Sequence, residues 1–269
     1  MLTLVILLAV LAALYLFLIA PSLKKRDLGP LEGFDYAHRG LWDDERPENS
    51  LPAFRAAVAQ GFGIETDVHI TADDQLIVFH DDSLKRMCGV DRKIADCTLE
   101  ELRRLSLKDT KETIPTFDEF LTAVGGAVPL IVEIKTDQRI ALLCEKVNER
   151  LEAYDGPYCV ESFDPRAVRW YRKHRPDVIR GQLTFGLVSP SKTPKTLLTR
   201  LLASQIQNVL GRPDFIAAEA ITDHSLPMRL LRMFPAHWAA WTVRSQAQMD
   251  QLRGRYELQI FEKFVPRQV

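Results

Sequence analysis

Residues 36–81 read YAHRGLWDDERPENSLPAFRAAVAQGFGIETDVHITADDQLIVFHD and predict the repeating unit of the fold. A β-rich run, a helix-length segment and a second β-rich run follow one another at 34–38, 50–60 and 63–70. The second β-rich run is extended by residues 76–80. Ser50 is placed to cap the start of the helix, and Gly61 is placed to end it. This succession predicts parallel strands joined by helices.

The same alternation continues along the chain. Further strands are predicted at 130–135, 158–163, 179–183, 215–219, 237–243 and 258–262. Helical segments are predicted at 138–154, 165–174, 226–234 and 245–253. Eight strands in this pattern predict an α/β fold, a (β/α)8 barrel, although an open doubly wound sheet would show the same alternation. No G-x-G-x-x-G follows the first strand, which weakens a dinucleotide-binding interpretation.

The first twenty residues carry no charge and are apolar apart from Thr3 and Tyr15, which predicts a transmembrane helix. A secretory signal is the alternative, but no Lys or Arg precedes the apolar run and Pro21 stands where a cleavage site is wanted. The basic cluster at 24–26 favours a single-pass anchor with the bulk of the protein in the cytoplasm. We therefore expect an anchor at 1–22, a basic linker at 23–32 and a barrel domain at 33–269.

The charge balance bears on the kind of partner, and the cysteine content bears on the redox compartment. The chain has 35 Lys and Arg against 36 Asp and Glu, so it lacks the basic footprint of a nucleic-acid binder and we expect no nucleic-acid partner. Its four cysteines form no C-x-x-C pair and no zinc spacing, which is typical of thiols in a reducing compartment.

Polar residues fall at or near the predicted carboxyl ends of several strands, where barrel enzymes carry their active sites. They are His38, Asp67, His80, Lys135, Glu161 and Glu262. Glu65 and Asp67 lie two apart on one strand, so both side chains project from the same face, as do those of Glu133 and Lys135. Three carboxylates could then converge on a hard divalent cation, Mg²⁺ or Ca²⁺. Solvent-facing alternation is the alternative, but parallel barrel strands are covered on both faces.

Cleavage of a phosphodiester needs its charge screened, a nucleophile positioned and the leaving oxygen protonated. Arg39 and Lys135 could bind the non-bridging oxygens, although Lys135 could instead form an ion pair with Glu133. His38 and His80 suit proton transfer near neutral pH, one taking a proton and the other giving one. We assign structural roles to the remaining histidines, His69, His174, His224 and His237.

Two further residues are candidates for supporting roles in such a site. Glu48 precedes the predicted helix at 50–60, and we expect it to support the groups that bind substrate. Trp241 lies on the seventh predicted strand. Its indole could wall the pocket against a glycerol or alcohol group, or it could fill the core.

Together the motifs of this chain resemble those of the glycerophosphodiester phosphodiesterases. In chain order they are H-R-G, P-E-N-S, E-x-D-V, T-x-D-x-x-x-x-V-x-H-D, I-P-T-F and V-E-I-K, within residues 34–243. The resemblance implies a (β/α)8 barrel with a small insertion after the second strand, at about 71–114. It also implies hydrolysis of glycerophosphodiesters to an alcohol and glycerol 3-phosphate.

The resemblance also implies roles for individual residues. The family's acid and base histidines fall on His38 and His80, and its phosphate-binding arginine falls on Arg39. Its metal carboxylates and its substrate-binding lysine fall on Glu65, Asp67, Glu133 and Lys135. The family commonly ends its last strand with an aspartate-bearing segment, whereas this chain has Glu262 there.

Residues 184–213 depart from the family pattern. The segment is basic, with Lys192, Lys195, Arg200 and Arg212, and its leucines fall mostly on one helical stripe. An ordinary barrel helix with a long lead-in loop explains it, as does a basic amphipathic lid at a lipid surface. Lysophospholipids are therefore an alternative substrate class. Cleavage by internal cyclisation and a catalytically silent barrel that binds a phosphorylated ligand or a membrane partner are further alternatives.

Overall fold

The predicted strands close into a barrel. The computed structural model describes residues 1–184, 202–220 and 225–267. Within those ranges the strands, numbered in chain order, are β1 Asp35–His38, β2 Gly63–Ile70, β3 Leu76–Val78, β4 Leu130–Ile134, β5 Tyr158–Ser162, β6 Arg180–Thr184, β7 Phe215–Glu219, β8 His237–Val243 and β9 Leu258–Phe261. All except β3 pair in parallel, and β1 pairs with both β2 and β9, which closes the ring. The (β/α)8 barrel is thereby confirmed.

Helices cover the outside of this ring. Numbered in chain order, those in the described ranges are α1 Leu2–Ile19, α2 Leu51–Ala59, α3 Lys85–Cys88, α4 Leu99–Leu102, α5 Phe117–Val124, α6 Ile140–Glu152, α7 Pro165–His174, α8 Asn208–Gly211, α9 Leu226–Leu231 and α10 Gln246–Leu252. Short 3₁₀ turns lie at Gly29–Leu31 and Ile94–Asp96. The Ser50 side chain accepts a hydrogen bond from the Ala53 amide, which confirms the predicted cap of α2.

The core has two layers because successive residues of a strand face opposite sides. On β4, Ile131 belongs to the cluster inside the barrel, whereas Val132 packs between the sheet and the helices. Glu133 is two residues beyond Ile131 and shares its inward face. The barrel interior is therefore filled by apolar side chains along most of its length, and carboxylate side chains line it near the carboxyl ends of the strands.

The segment after β2 differs in one respect from the sequence prediction. Residues 76–80 do not extend β2. Leu76–Val78 form a separate strand, β3, which pairs antiparallel with β2, and Phe79 and His80 follow it. The chain reverses at Asp74, whose φ is 59°. The Phe79 amide donates to the Asp67 carbonyl at 3.1 Å, so His80 returns to the level of Asp67. This reversal, rather than the end of a parallel strand, brings His80 to the barrel mouth.

The predicted insertion at 71–114 is present as a small subdomain. It has its own cluster of buried side chains, including Phe79, Met87, Leu102 and Ile114. Two short helices, α3 and α4, lie within it.

The N-terminal helix is apolar and long enough to cross a membrane, with a mean hydropathy of 3.0 over Leu2–Ile19. The chain after it packs against the amino-terminal end of the barrel. There Arg26 donates to the carbonyls of Pro176 and Val178. The domain boundaries at residues 22 and 32 remain predictions. Lys192, Lys195, Arg200 and His224 lie outside the described residues.

Candidate active site

The carboxyl ends of the barrel strands surround a cavity of about 280 Å³. Its lining includes His38, Arg39, Glu65, His80, Glu133, Glu161, Trp241 and Glu262. Asp67 and Lys135 lie beside it and are both buried. The barrel thus brings every predicted site residue except Glu48 to the cavity or its floor, and Glu48 contacts Arg39 from behind.

Three carboxylates form the floor of the site. Glu65, Asp67 and Glu133 are buried and can each offer an oxygen within 4.8 Å of the others. Parallel pairing of β2 with β4 sets Asp67 directly beside Glu133. Burial, followed by repulsion from Asp67 and Glu133, raises the pKa of Glu65 well above its usual value. A cation among these oxygens would offset that repulsion, so the three residues fit a site for a divalent metal ion.

Lys135 neutralises part of this charge. Its ammonium donates to Asp67 Oδ1 and Glu133 Oε1, each at 2.9 Å. Burial alone would lower the pKa of Lys135, but the charges of Asp67 and Glu133 outweigh it and raise that pKa. Burial would likewise raise the pKa of Asp67, but Lys135, His80 and Arg39 hold it well below its usual value. The ion pair with Glu133, one of the two interpretations of Lys135, is therefore present.

Arg39 faces the cavity from the turn after β1. Its Nη1 donates to Glu48 Oε1 at 2.7 Å, and its Nε lies 3.5 Å from Asp67 Oδ2. That Nε is buried without a hydrogen-bond acceptor. The Arg39 side chain also lines the cavity, where a guanidinium is suited to receive a phosphate oxygen.

Both candidate catalytic histidines are paired with a carboxylate through Nδ1. His38 Nδ1 lies 2.8 Å from Glu262 Oε2, and His80 Nδ1 lies 2.6 Å from Asp81 Oδ1. When Nδ1 donates to its carboxylate, Nε2 is left to exchange a proton. Burial and the charge of Arg39 lower the pKa of His38 to about 4, against the opposing hydrogen bond to Glu262. His38 is therefore neutral near pH 7.

Sequence reasoning missed the network that holds these groups. Arg86, from α3 in the insertion, donates to both Glu48 oxygens at 2.7 and 2.9 Å. It also donates through Nε to Asp81 Oδ2 at 2.6 Å. The Arg86 guanidinium thus holds two carboxylates. That of Glu48 positions Arg39, and that of Asp81 positions His80. No sequence pattern distinguishes Arg86 as a site residue. Asp81 could have been identified, because it directly follows the candidate catalytic residue His80.

Glu161 is a fourth carboxylate in the cavity. It pairs in register with Glu133 across β4 and β5. Burial, and then the charges of Glu133 and Asp67, raise its pKa well above the usual value. Its Oε2 is buried without a hydrogen-bond partner. The strand-end pattern singled out Glu161 but assigned it no role.

Loss of Arg86 is expected to lower kcat without abolishing folding, because Arg86 touches carboxylates that act through Arg39 and His80. We expect Arg86→Ala to reduce kcat by roughly 10–100-fold, in the range seen for outer partners of site residues. Arg86→Lys should recover part of this, since one ammonium can hold one carboxylate. Arg92→Ala, which removes an ion pair with Glu101 in the same insertion, is the matched control. Equal kcat in Arg86→Ala and Arg92→Ala would contradict this role.

Glu262→Gln is expected to change the pH profile of kcat. Burial would raise the pKa of Glu262, but His38 and Arg244 outweigh it and lower that pKa to about 2, so Glu262 stays ionised near neutrality. Its charge and hydrogen bond raise the pKa of His38. Removal of the charge should therefore move the acidic limb to lower pH, with kcat about 10-fold lower because the ring is less well oriented. An unmoved limb, or one moved to higher pH, would contradict the pairing.

The comparison with known families agrees with this geometry. The sequence model described as the glycerophosphoryl diester phosphodiesterase family matches residues 38–256. The chain belongs to this family. The family predicted from the motifs is thereby confirmed, and with it the class of phosphodiesterases.

Individual members of the family show the same relationship. The chain is 33% identical over 168 residues to a glycerophosphodiester phosphodiesterase of Caldanaerobacter subterraneus. The matched region covers 57% of this chain and 68% of that relative. It is 33% identical over 132 residues to lysophospholipase D GDPD1 of Homo sapiens, covering 44% of this chain and 41% of that protein. An Oleispira antarctica phosphodiesterase, solved in complex with the product sn-glycerol-3-phosphate, has a TM-score of 0.71 at 21% identity, covering 88% of this chain and 95% of that chain. The structural likeness shows the shared fold.

Proposed function

We propose that the chain hydrolyses glycerophosphodiesters to an alcohol and sn-glycerol 3-phosphate in a metal-dependent reaction at the barrel mouth. One observation carries the proposal. Three buried carboxylates, whose oxygens lie within 4.8 Å of one another, form the floor of a cavity lined by Arg39, His38 and His80. Each of the two histidines is paired with a carboxylate. That set can screen a phosphate, orient it and move two protons.

Glu65, Asp67 and Glu133 would hold the ion, which we propose to be Mg²⁺ or Ca²⁺ because all three ligands are carboxylates. When bound, it supplies positive charge to the phosphate oxygens. Arg39, which lines the cavity, would bind a non-bridging oxygen through its guanidinium. Lys135 pairs with Asp67 and Glu133, and its ammonium would be a further contact for the phosphate.

His38 and His80 would divide the proton transfers. The neutral His38 takes a proton from the attacking water through Nε2, as the new oxygen–phosphorus bond forms. His80 gives a proton through Nε2 to the alcohol oxygen, as the phosphorus–oxygen bond to that alcohol breaks. The Asp81 carboxylate, 2.6 Å from His80 Nδ1, would hold the ring in place for this transfer.

Trp241 would form the apolar wall for the glycerol or alcohol group. Its Nε1 donates to the Ala217 carbonyl at 3.0 Å, which fixes the indole. Phe163 packs edge-to-face against it with ring centroids 5.7 Å apart. Both rings line the cavity, which gives a phosphodiester one charged side and one apolar side.

Hydrolysis of lysophospholipids at a membrane is the second candidate. The apolar helix α1 supports it, because it could anchor the barrel as a single pass. The basic cluster at 24–26 favours a cytoplasmic barrel. The relative named lysophospholipase D GDPD1 adds support for this substrate class.

Product analysis tests the proposed reaction. The full chain in detergent is incubated with glycerophosphocholine and Mg²⁺ or Ca²⁺, and the products are followed by ³¹P NMR. We expect sn-glycerol 3-phosphate and choline. Accumulation of a cyclic phosphate as the final product would favour internal cyclisation instead. No turnover with either ion would favour a barrel that only binds its ligand. Lysophosphatidylcholine in a parallel assay tests the second candidate by release of lysophosphatidic acid.

A further inference from the structure

The anchor helix is joined to the barrel by specific hydrogen bonds as well as by the chain that follows it. The last carbonyls of any helix have no partner within that helix. At the end of α1, Arg212 Nη1 donates to the Phe17 carbonyl at 2.9 Å, and Asn208 Nδ2 donates to the Ile19 carbonyl at 3.0 Å. The Arg212 guanidinium also lies 4.7 Å from the centroid of the Phe17 ring. We call the segment 204–213, which supplies these groups, the socket.

The socket runs from the carboxyl end of the barrel to its amino end. Near its start, the Gln205 side chain donates to Thr184, the last residue of β6. Near its end, Arg180, the first residue of β6, donates to the Gly211 carbonyl at 3.1 Å. The two contacts give the socket a direction antiparallel to β6.

The anchor follows the socket in the same direction. Tyr15 donates its hydroxyl to the Ser204 carbonyl at 3.0 Å, and seven residues later the Ser22 amide donates to the Pro213 carbonyl at 2.9 Å. The N-terminal part of α1 therefore points past the carboxyl end of the barrel, where the active-site cavity opens. Residues 1–14 are all exposed. At 1.5 Å per residue they reach about 21 Å beyond the socket.

We propose that the docked anchor orients the barrel so that the mouth of the active site faces the phospholipid bilayer. This rests on the proposed function and specifies its substrate class as phosphodiesters of amphiphilic molecules held in the membrane surface. An anchor on a free tether would leave the orientation of the barrel random. The hydrogen bonds to the end of α1 fix the orientation of the barrel, because they join the backbone of α1 to the socket.

Paired fluorescent labels on α9 test the orientation. Leu226 begins α9 and Met233 follows its end, and the two side chains are 64% and 71% exposed. Helices that follow barrel strands run back toward the amino end, so Leu226 lies nearer the mouth. Leu226→Cys and Met233→Cys, in a Cys88→Ser background, carry an environment-sensitive dye in vesicles of brominated phosphatidylcholine. We expect stronger quenching at 226 than at 233, and equal or reversed quenching would overturn the proposal.

A socket variant connects orientation with substrate access. Arg212→Ala removes the hydrogen bonds from Arg212 to the Phe17 and Ala20 carbonyls and its contact with the Phe17 ring. Arg229→Ala removes an exposed arginine from the neighbouring α9. We expect Arg212→Ala in vesicles to hydrolyse lysophosphatidylcholine about 10-fold more slowly, with unchanged hydrolysis of water-soluble glycerophosphocholine. Arg229→Ala should match wild type in both assays. Equal rates on the lipid in both variants would overturn the proposal. Failure of wild type on glycerophosphocholine would instead contradict the proposed function, and the labels report orientation independently of turnover.

Discussion

His80→Ala is expected to lower kcat for glycerophosphocholine by roughly 10²–10⁴-fold, the usual contribution of a positioned acid or base. His38→Ala should have an effect of the same order, because each histidine is proposed to move one proton. The two rings differ in exposure: the His38 side chain is 13% exposed, whereas that of His80 is 33% exposed at the mouth. His174→Ala removes an exposed histidine on α7 and serves as the control.

The leaving group separates the two roles. A glycerophosphodiester of 4-nitrophenol needs little protonation of its leaving oxygen. With this substrate His80→Ala should regain most of the lost rate, whereas His38→Ala should remain slow because its water still needs a base. The reverse pattern would exchange the two assignments. Wild-type rates in both variants would show that neither histidine transfers a proton.

Asp67→Asn is expected to remove metal binding and turnover together. Asparagine keeps the size of the side chain but loses one negative charge from a site built of three carboxylates. We expect the affinity for Mg²⁺ or Ca²⁺ to fall by more than the roughly 10–100-fold that the loss of an outer partner costs. Lys135 retains Glu133 as a charged partner, so the buried ammonium remains paired and the variant should fold.

Calorimetric titration of the metal-free protein measures this directly, and Asp109→Asn, an exposed aspartate in the insertion, is the control. An Asp67→Asn variant that binds the ion with wild-type affinity would remove Asp67 from the ligand set. Retained affinity with lost turnover would assign Asp67 to the orientation of Lys135 instead.

Local rules predicted much of the barrel. The two-residue spacing of Glu65 and Asp67 placed both carboxylates on one face of β2, and β-sheet geometry leaves no other result. Ser50 caps α2 as predicted, because its side-chain oxygen can satisfy an amide of the first turn. The helix α5 was not predicted, although Thr116 and Glu119 form a capping box that marks its start.

Contacts between distant parts of the chain were not predictable in this way. Arg86 and Glu48 are 38 residues apart and meet only because the insertion folds back over the turn after β1. The reversal of β3 likewise depends on antiparallel pairing that alternation alone does not distinguish from a longer β2. Glu262 follows the last strand and reaches His38 only when the barrel closes between β9 and β1.

The central claim is that Glu65, Asp67 and Glu133 hold the ion that this hydrolysis requires. The most direct measurement is glycerophosphocholine turnover by chelator-treated protein as Mg²⁺ or Ca²⁺ is added back, with ion binding followed by calorimetry on the same sample. We predict no turnover without the ion, one site per chain, and a rate that rises in proportion to its occupancy. Full turnover in the chelated protein, or ion binding that leaves the rate unchanged, would contradict the claim.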